Sequence, residues 1–336
     1  ERFMFLMKTH SNLRDDDYIY SSDRAKAREA SCLCEDGRAR LLATRDYDAA
    51  LRHLSENGFL LVYDKEGNAD VEAMLDEYLE KAYTLVNESV PLKDAFAFLR
   101  YGYDCHNVKS AIKAEVRGED FSRLYMALGN FSEKKIADMV AKRDFSKLPL
   151  EMGKAAKRAV SVFAATQDPQ EIDKLLDKAC YKDMLTAAEG YSEKFRAFVR
   201  VKIDLVNLLT YIRMLRMGQG AWAQFLEFFL EGGMLSEAWF ASAFKDGKEH
   251  AAKRLFATPY ALLASFDTLS AAALEKLADD IYFAFVKKEA EATYGACVIA
   301  AFMVKRELEA RNIRIILAAK KAGLDSAVIT ERLRRL

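Results

Sequence analysis

The segment "ARNIRIILAAKKAGL", Ala310 to Leu324, has two counterparts upstream. They are "LVNLLTYIRMLRMGQ", Leu205 to Gln219, and "CHNVKSAIKAEVRGE", Cys105 to Glu119. Each places Gly eleven residues after Asn: Asn107 and Gly118, Asn207 and Gly218, Asn312 and Gly323. Seven residues before each Asn stands a base (Arg100, Arg200, Lys305), and three before it an acid (Asp104, Asp204, Glu309). Two apolar residues precede each base: Phe98–Leu99, Phe198–Val199 and Met303–Val304. Apolar periodicity of helices explains recurring apolar positions but not recurring polar ones. The polar matches therefore indicate three copies of one unit.

The similarity extends beyond these blocks. A Leu-rich, acid-bearing helix precedes each of them: "MLDEYL", "LLDKAC" and "KLADDIYF". Downstream of the first two, "ALGNFSEKKIADMV" echoes "LEGGMLSEAWFASAF". The period, about a hundred residues, exceeds that of the short solenoid repeats. We place the copies near 17–120, 121–222 and 223–336, with residues 1–16 as an N-terminal extension.

Apolar spacing of three and four runs through most of the chain, as in Val71 to Val86, Glu171 to Leu185 and Leu274 to Val286. "QDPQE" sets Asp168 as an N-cap with Pro169 at the first helical position, and "ATPYALL" suggests the same for Thr258 and Pro259. Strand signals are few, the best being "FLLVY", Phe59 to Tyr63. The fold class is all-α.

Composition narrows function. Lys plus Arg equals Asp plus Glu at 51 each, so the chain has no global pull toward nucleic acid or a membrane surface. Five Cys, with Cys32 and Cys34 close together and Cys105, Cys180 and Cys297 isolated, suggest reduced thiols rather than a disulfide framework. The longest uncharged run, Ala292 to Val304, is thirteen residues; a bilayer span needs roughly twenty. A soluble chain is expected, touching a membrane only through partners.

Catalytic equipment is not apparent. His10, His53, His106 and His250 fit no metal-ligand spacing, and "CLC" with His53 is a poor zinc pattern. "GQG" and "EGG" are not phosphate loops, and "EGG" is read as a helix C-cap and turn. The Asp279–Asp280 pair and Glu289 with Glu291 are read as solvated helix faces, and "WAQFLEFFL" as core. No cofactor, metal or catalytic residue is assigned.

The C-terminal "ELEARNIRIILAAKKAGLDSAVITERL", Glu307 to Leu333, resembles the end of the C subunit of archaeal and bacterial V-type (A-type) ATPases, counterpart of the eukaryotic vacuolar ATPase d subunit. "YDCHNVKSAIKAEVRG" resembles that family's first-repeat block, "VKIDLVNLLTYIRMLRMG" its second, and "RDYDAALRHLSENGF" its N-terminal lobe. "ERFMFLMKTHSNLRDD" and "ASCLCEDGRARLLA" depart from the family pattern. The resemblance implies three helical lobes arranged as a funnel or socket around a pseudo-threefold axis. It also implies a non-catalytic central-stalk adaptor on the cytoplasmic face, between the rotating shaft and the membrane rotor ring, in H⁺ or Na⁺ transport. The rival reading is a helical-repeat scaffold for other protein partners.

Two sets of residues are candidates for the work. The stripe Arg100, Asp104, Asn107, Arg200, Asp204, Asn207, Lys305, Glu309 and Asn312 lies at i, i+4 and i+7, one helix face in each copy. It either ties helices together inside each lobe, the favoured reading, or lines the socket. Lys305 to Leu336 carries nine bases and four acids, so Arg332, Arg334 and Arg335 are candidate contacts to an acidic partner surface.

Overall fold

The computed structural model describes residues 13–29, 33, 35–92, 95–190, 193–217 and 222–336. Most of the N-terminal extension, Cys32, Cys34 and "GQG" with Gly218 lie outside the described residues. The chain divides into a terminal unit, Arg14–Lys93 with Pro259–Leu336, and a middle unit, Asp94–Thr258.

The terminal unit begins with α1 (Ile19–Glu29), α2 (Glu35–Ala43), α3 (Tyr47–Glu56) and α4 (Val71–Ser89). The Asp70 carboxylate caps α4 by accepting from Ala73 N at 3.0 Å. Met74, Leu75, Leu79, Ala82, Tyr83 and Val86 then form its buried stripe. The middle unit holds α5 (Tyr101–Arg117), α6 (Glu133–Lys142), α7 (Leu150–Thr166), α8 (Pro169–Glu189), α9 (Glu193–Arg216), α10 (Trp222–Phe228), α11 (Glu237–Asp246) and α12 (Lys248–Phe256). The chain returns to the terminal unit with α13 (Ala271–Glu289), α14 (Ala296–Lys321) and α15 (Ser326–Arg332).

One helix forms the centre of each unit. In the terminal unit α14 packs against α1, α3, α4, α13 and α15. It therefore buries residues around most of its circumference, including Ile299, Phe302, Met303, Ile313 and Ile316. In the middle unit α8 packs against α5, α7 and α9. Phe195 on α9 is 1% exposed and meets Phe96, Phe98 and Phe198. The expected core segment "WAQFLEFFL" supplies Phe225, fully buried, among Tyr211, Phe229, Phe240 and Phe244.

Several local readings are corrected. Thr258 is not an N-cap: its N–H and hydroxyl both donate to Leu255 O, closing α12, and the next helical turn begins only at Ala261. "FLLVY" makes no named strand. Tyr63 bridges Ala69 across a turn held by Asp64, whose Oδ1 accepts from Glu66 N and Asn68 N. A hairpin without neighbouring strands does not extend further. "EGG" is a turn, with Gly232 at φ 94°, but α10 has already ended at Phe228.

Gly118 and Gly323, in contrast, are matched helix stops at φ 66° and 70°. Gly118 N donates to Glu115 O and Glu119 N to Ala114 O; Gly323 N donates to Lys320 O and Leu324 N to Ala319 O. This is the Schellman pattern, which needs a left-handed residue and so favours Gly. Among the described residues no helix is long and apolar enough to cross a membrane.

Candidate functional site: a clamp repeated along the chain

The recurring asparagines each grip one backbone residue by both of its polar groups. In the middle unit Asn107 Oδ1 accepts from Met126 N at 2.8 Å, and Asn107 Nδ2 donates to Met126 O at 2.9 Å. Asn207 does the same to Leu230, at 2.9 Å from N and 2.8 Å to O. In the terminal unit Asn312 takes Arg334, at 2.8 Å and 3.0 Å. A side-chain amide presents a donor and an acceptor side by side, as a peptide does. It therefore completes a segment that has no strand or helix partner. All three asparagines are buried, at 2% exposure or less.

The acid one turn earlier takes the next part of the same loop. Asp104 accepts from Asn130 N at 2.7 Å and Asn130 Nδ2 at 2.6 Å. Asp204 accepts from Met234 N at 2.9 Å and Leu235 N at 3.0 Å. Arg200 Nη2 donates to Gly233 O at 3.1 Å, so base and acid hold one loop. Close approach sets the loop residue: a Cβ on Gly129 would lie 2.7 Å from Asp104 Oδ1, and one on Gly233 2.0 Å from Asp204 Oδ1. This accounts for the Gly shared by "ALGNFSE" and "LEGGMLSE".

The third acid is used differently. Glu309 accepts from Leu33 N at 2.7 Å and from the Tyr78 hydroxyl, and lies 3.5 Å from Arg306 Nη1. Arg306, 3% exposed, donates to Arg28 O at 2.6 Å and to Tyr78, and its guanidinium lies over the Tyr78 ring at 5.0 Å and the Phe302 ring at 5.1 Å. The sequence pattern singled out Lys305; its ammonium reaches Glu29 at 3.4 Å and is partly exposed. Arg306 was missed because only Lys305 falls on the repeat register.

The C-terminal arginines also divide. Arg332 and Arg335 are exposed. Arg334 is 9% exposed, and its Nε donates to Asp279 Oδ2 at 2.8 Å. Arg311 Nη1 reaches the same carboxylate at 2.5 Å. Asp280 accepts from Arg335 N at 2.8 Å and Lys276 Nζ at 3.1 Å. The Asp279–Asp280 pair is thus not a solvated face; it fastens the last residues onto α13.

Burial governs the electrostatics. Asp104 is pushed up to about 6, with desolvation outweighing the Asn130 donors and the Arg100 charge. Asp183 is also raised by burial, although it accepts from Glu151 N at 3.0 Å and Met152 N at 2.7 Å. Asp183 caps α7 from outside, because Pro149 at that N-cap has no side-chain cap. No local motif marks it, since donor and acceptor are more than thirty residues apart. Among the described residues no three His, Cys, Asp or Glu side chains group as metal ligands.

Comparison with known proteins gives the family of the chain. The family model for the ATP synthase (C/AC39) subunit matches residues 24–332. The C subunit of the V-type sodium ATPase of Enterococcus hirae is 22% identical, covering 93% of this chain and 96% of its own length. The C subunit of the V-type ATP synthase of Thermus thermophilus is 24% identical, covering 94% and 98%. The C subunit of the A-type ATP synthase of Thermococcus kodakarensis is 25% identical, covering 94% and 89%. A match over nearly the whole chain, with the three clamps inside its span or at its edge, makes this protein a member of the C/AC39 subunit family of ATP synthases.

Proposed function

We propose that the chain is the non-catalytic central-stalk adaptor of a rotary V/A-type ATPase. In this reading it receives the tip of the rotating shaft, stands on the membrane rotor ring and passes torque between them to drive H⁺ or Na⁺ transport. Its three copies, 17–120, 121–222 and 223–336, are lobes around a pseudo-threefold axis, with the socket between them. It is peripheral on the cytoplasmic face and meets the membrane only through its partners in the complex. One observation carries the reading: the same Asn clamp recurs three times in a member of this family. Repeating one self-fastened unit is an economical way to build a rigid part that transmits force. The burial of the stripe supports a framing role for it, which leaves the exposed Arg332 and Arg335 as candidate partner contacts.

The test is genetic and functional. In membrane vesicles from cells lacking this chain, ATP-driven ion uptake should be lost, while ATP hydrolysis by the released catalytic part persists. Adding back the chain should restore uptake. The purified chain alone should hydrolyse no nucleotide. Normal ion uptake without it would refute the adaptor and favour the scaffold reading.

A further inference from the structure

The middle unit contains a thiol pair that the clamps do not use. Cys105 on α5 and Cys180 on α8 are 2% and 3% exposed, and neither is in a disulfide. Each donates across the α5–α8 contact to a carbonyl one turn before the other cysteine. Cys105 Sγ lies 3.5 Å from Leu176 O, and Cys180 Sγ 3.5 Å from Tyr101 O. Both sulfurs therefore sit at one level between the same two helices. Isolated core cysteines behave as small hydrophobes and have no need to face one another.

One side of the pair is closed by charge rather than by apolar packing. Cys105 Sγ is 3.6 Å from Asp177 Oδ1, which accepts from Lys109 Nζ at 2.7 Å. The Asp177 side chain is 46% exposed, so the Lys109–Asp177 ion pair separates the thiol from solvent. Lys109 is 19% exposed and also lies 3.6 Å from Asp173 Oδ1, so it keeps a partner when the half-exposed Asp177 swings into solvent.

We propose that Cys105 and Cys180 are a peroxide-oxidisable pair whose disulfide staples α5 to α8. Cys105 thiolate attacks one oxygen of hydrogen peroxide; the O–O bond breaks and, with a proton taken up, a sulfenic acid and one water form. Cys180 sulfur then attacks Cys105 sulfur, the S–O bond breaks, and the second water leaves. In sum two thiols and one peroxide give one disulfide and two waters: the sulfurs lose two electrons and the peroxide gains them. The neighbouring thiol and burial hold the Cys105 pKa well above the ordinary thiol value. The closed protein therefore reacts slowly, and opening of the Lys109–Asp177 pair sets the rate. Once open, Lys109 remains beside the sulfur and favours the thiolate. The bond would join positions 75 residues apart and restrict the unfolded chain.

The test treats the full-length folded protein with hydrogen peroxide and maps its peptides without reduction. The expected product is a Cys105–Cys180 cross-linked peptide two hydrogens lighter than its thiol parts. The melting temperature should rise with it, and both should revert with dithiothreitol. Cys180→Ser should abolish the cross-link, with Cys105 instead accumulating higher oxides. Asp177→Asn removes a half-exposed charge without touching the core and should speed cross-linking roughly threefold or more. The proposal is overturned if both thiols stay reduced while the partly exposed Cys297 oxidises, or if each oxidises singly with no bond between them. Cross-linking only in denaturant, or at an unchanged rate in Asp177→Asn, overturns it as well.

Discussion

Replacing Asn207 by Ala tests whether the repeated asparagine is a fastening of the fold. The variant removes two hydrogen bonds and leaves Leu230 N–H and C=O without the amide that satisfied them. Leu230 is 3% exposed, so water is not at hand to replace it. An unsatisfied buried polar group costs about 1–3 kcal/mol; two of them give about 4 kcal/mol. At Asn107 the same substitution faces Met126, which is 41% exposed, so solvent takes over part of the bonding. About 1–2 kcal/mol is expected there. For a unit the size of Asp94–Thr258, each kcal/mol lowers the melting temperature by roughly 3 °C. Calorimetry of the isolated protein should therefore show a fall of about 12 °C for Asn207→Ala and about 3–6 °C for Asn107→Ala. Capture of rotor partners should fall only as folded protein is lost. An Asn207→Ala protein as stable as wild type, yet unable to bind the rotor, would make the stripe a contact surface. A larger effect at Asn107 than at Asn207 would show the burial argument to be wrong.

Four further outcomes follow from the geometry. The folded Asp104 pKa of about 6 lies above its ordinary 3.8, so its stabilising contribution is full below about pH 4 and is lost as the pH rises through 6. The stability of wild type relative to Asp104→Asn should accordingly increase by about 1.4 kcal/mol from pH 7 to pH 5 in urea titrations, and a flat difference would contradict the assignment. Gly233→Ala puts a methyl 2.0 Å from an Asp204 oxygen held by backbone donors, and should destabilise by about 2–4 kcal/mol; a neutral result would mean the loop moves freely. Reversing the exposed Arg332 and Arg335 to Glu should leave the melting temperature within about 2 °C and weaken assembly more at low than at high salt. Arg334→Glu should instead lower stability, because it places a second carboxylate against Asp279.

Recurrence of polar residues was legible where recurrence of apolar ones was ambiguous. Asn107, Asn207 and Asn312 recur with their acids because the backbone segment each one fastens imposes the same need in every copy. The Gly at +11 is legible for a separate reason: Gly118 and Gly323 end their helices with left-handed backbone. Arg306 and Asp183 were not legible. Arg306 lies beside the repeat register, and its partners Tyr78 and Arg28 come from more than two hundred residues away. Asp279 and Asp280 resemble many solvated helix pairs until the C-terminal residues are seen folded onto them.

The sequence by itself determined the all-helical class, the threefold recurrence of the polar stripe and the family, since periodicity, caps and matched polar spacing are local or evenly repeated properties of the chain. Only the tertiary structure decided which backbone each polar group serves. Asp104 takes the loop between α5 and α6 and Asp204 the loop between α10 and α11, while Glu309, at the same register, takes Leu33 and Tyr78. A buried carboxylate must find donors, but which donors it finds depends on the helices packed around it. That packing brings residues 276 positions apart into hydrogen-bond contact, and spacing along a chain carries no record of it.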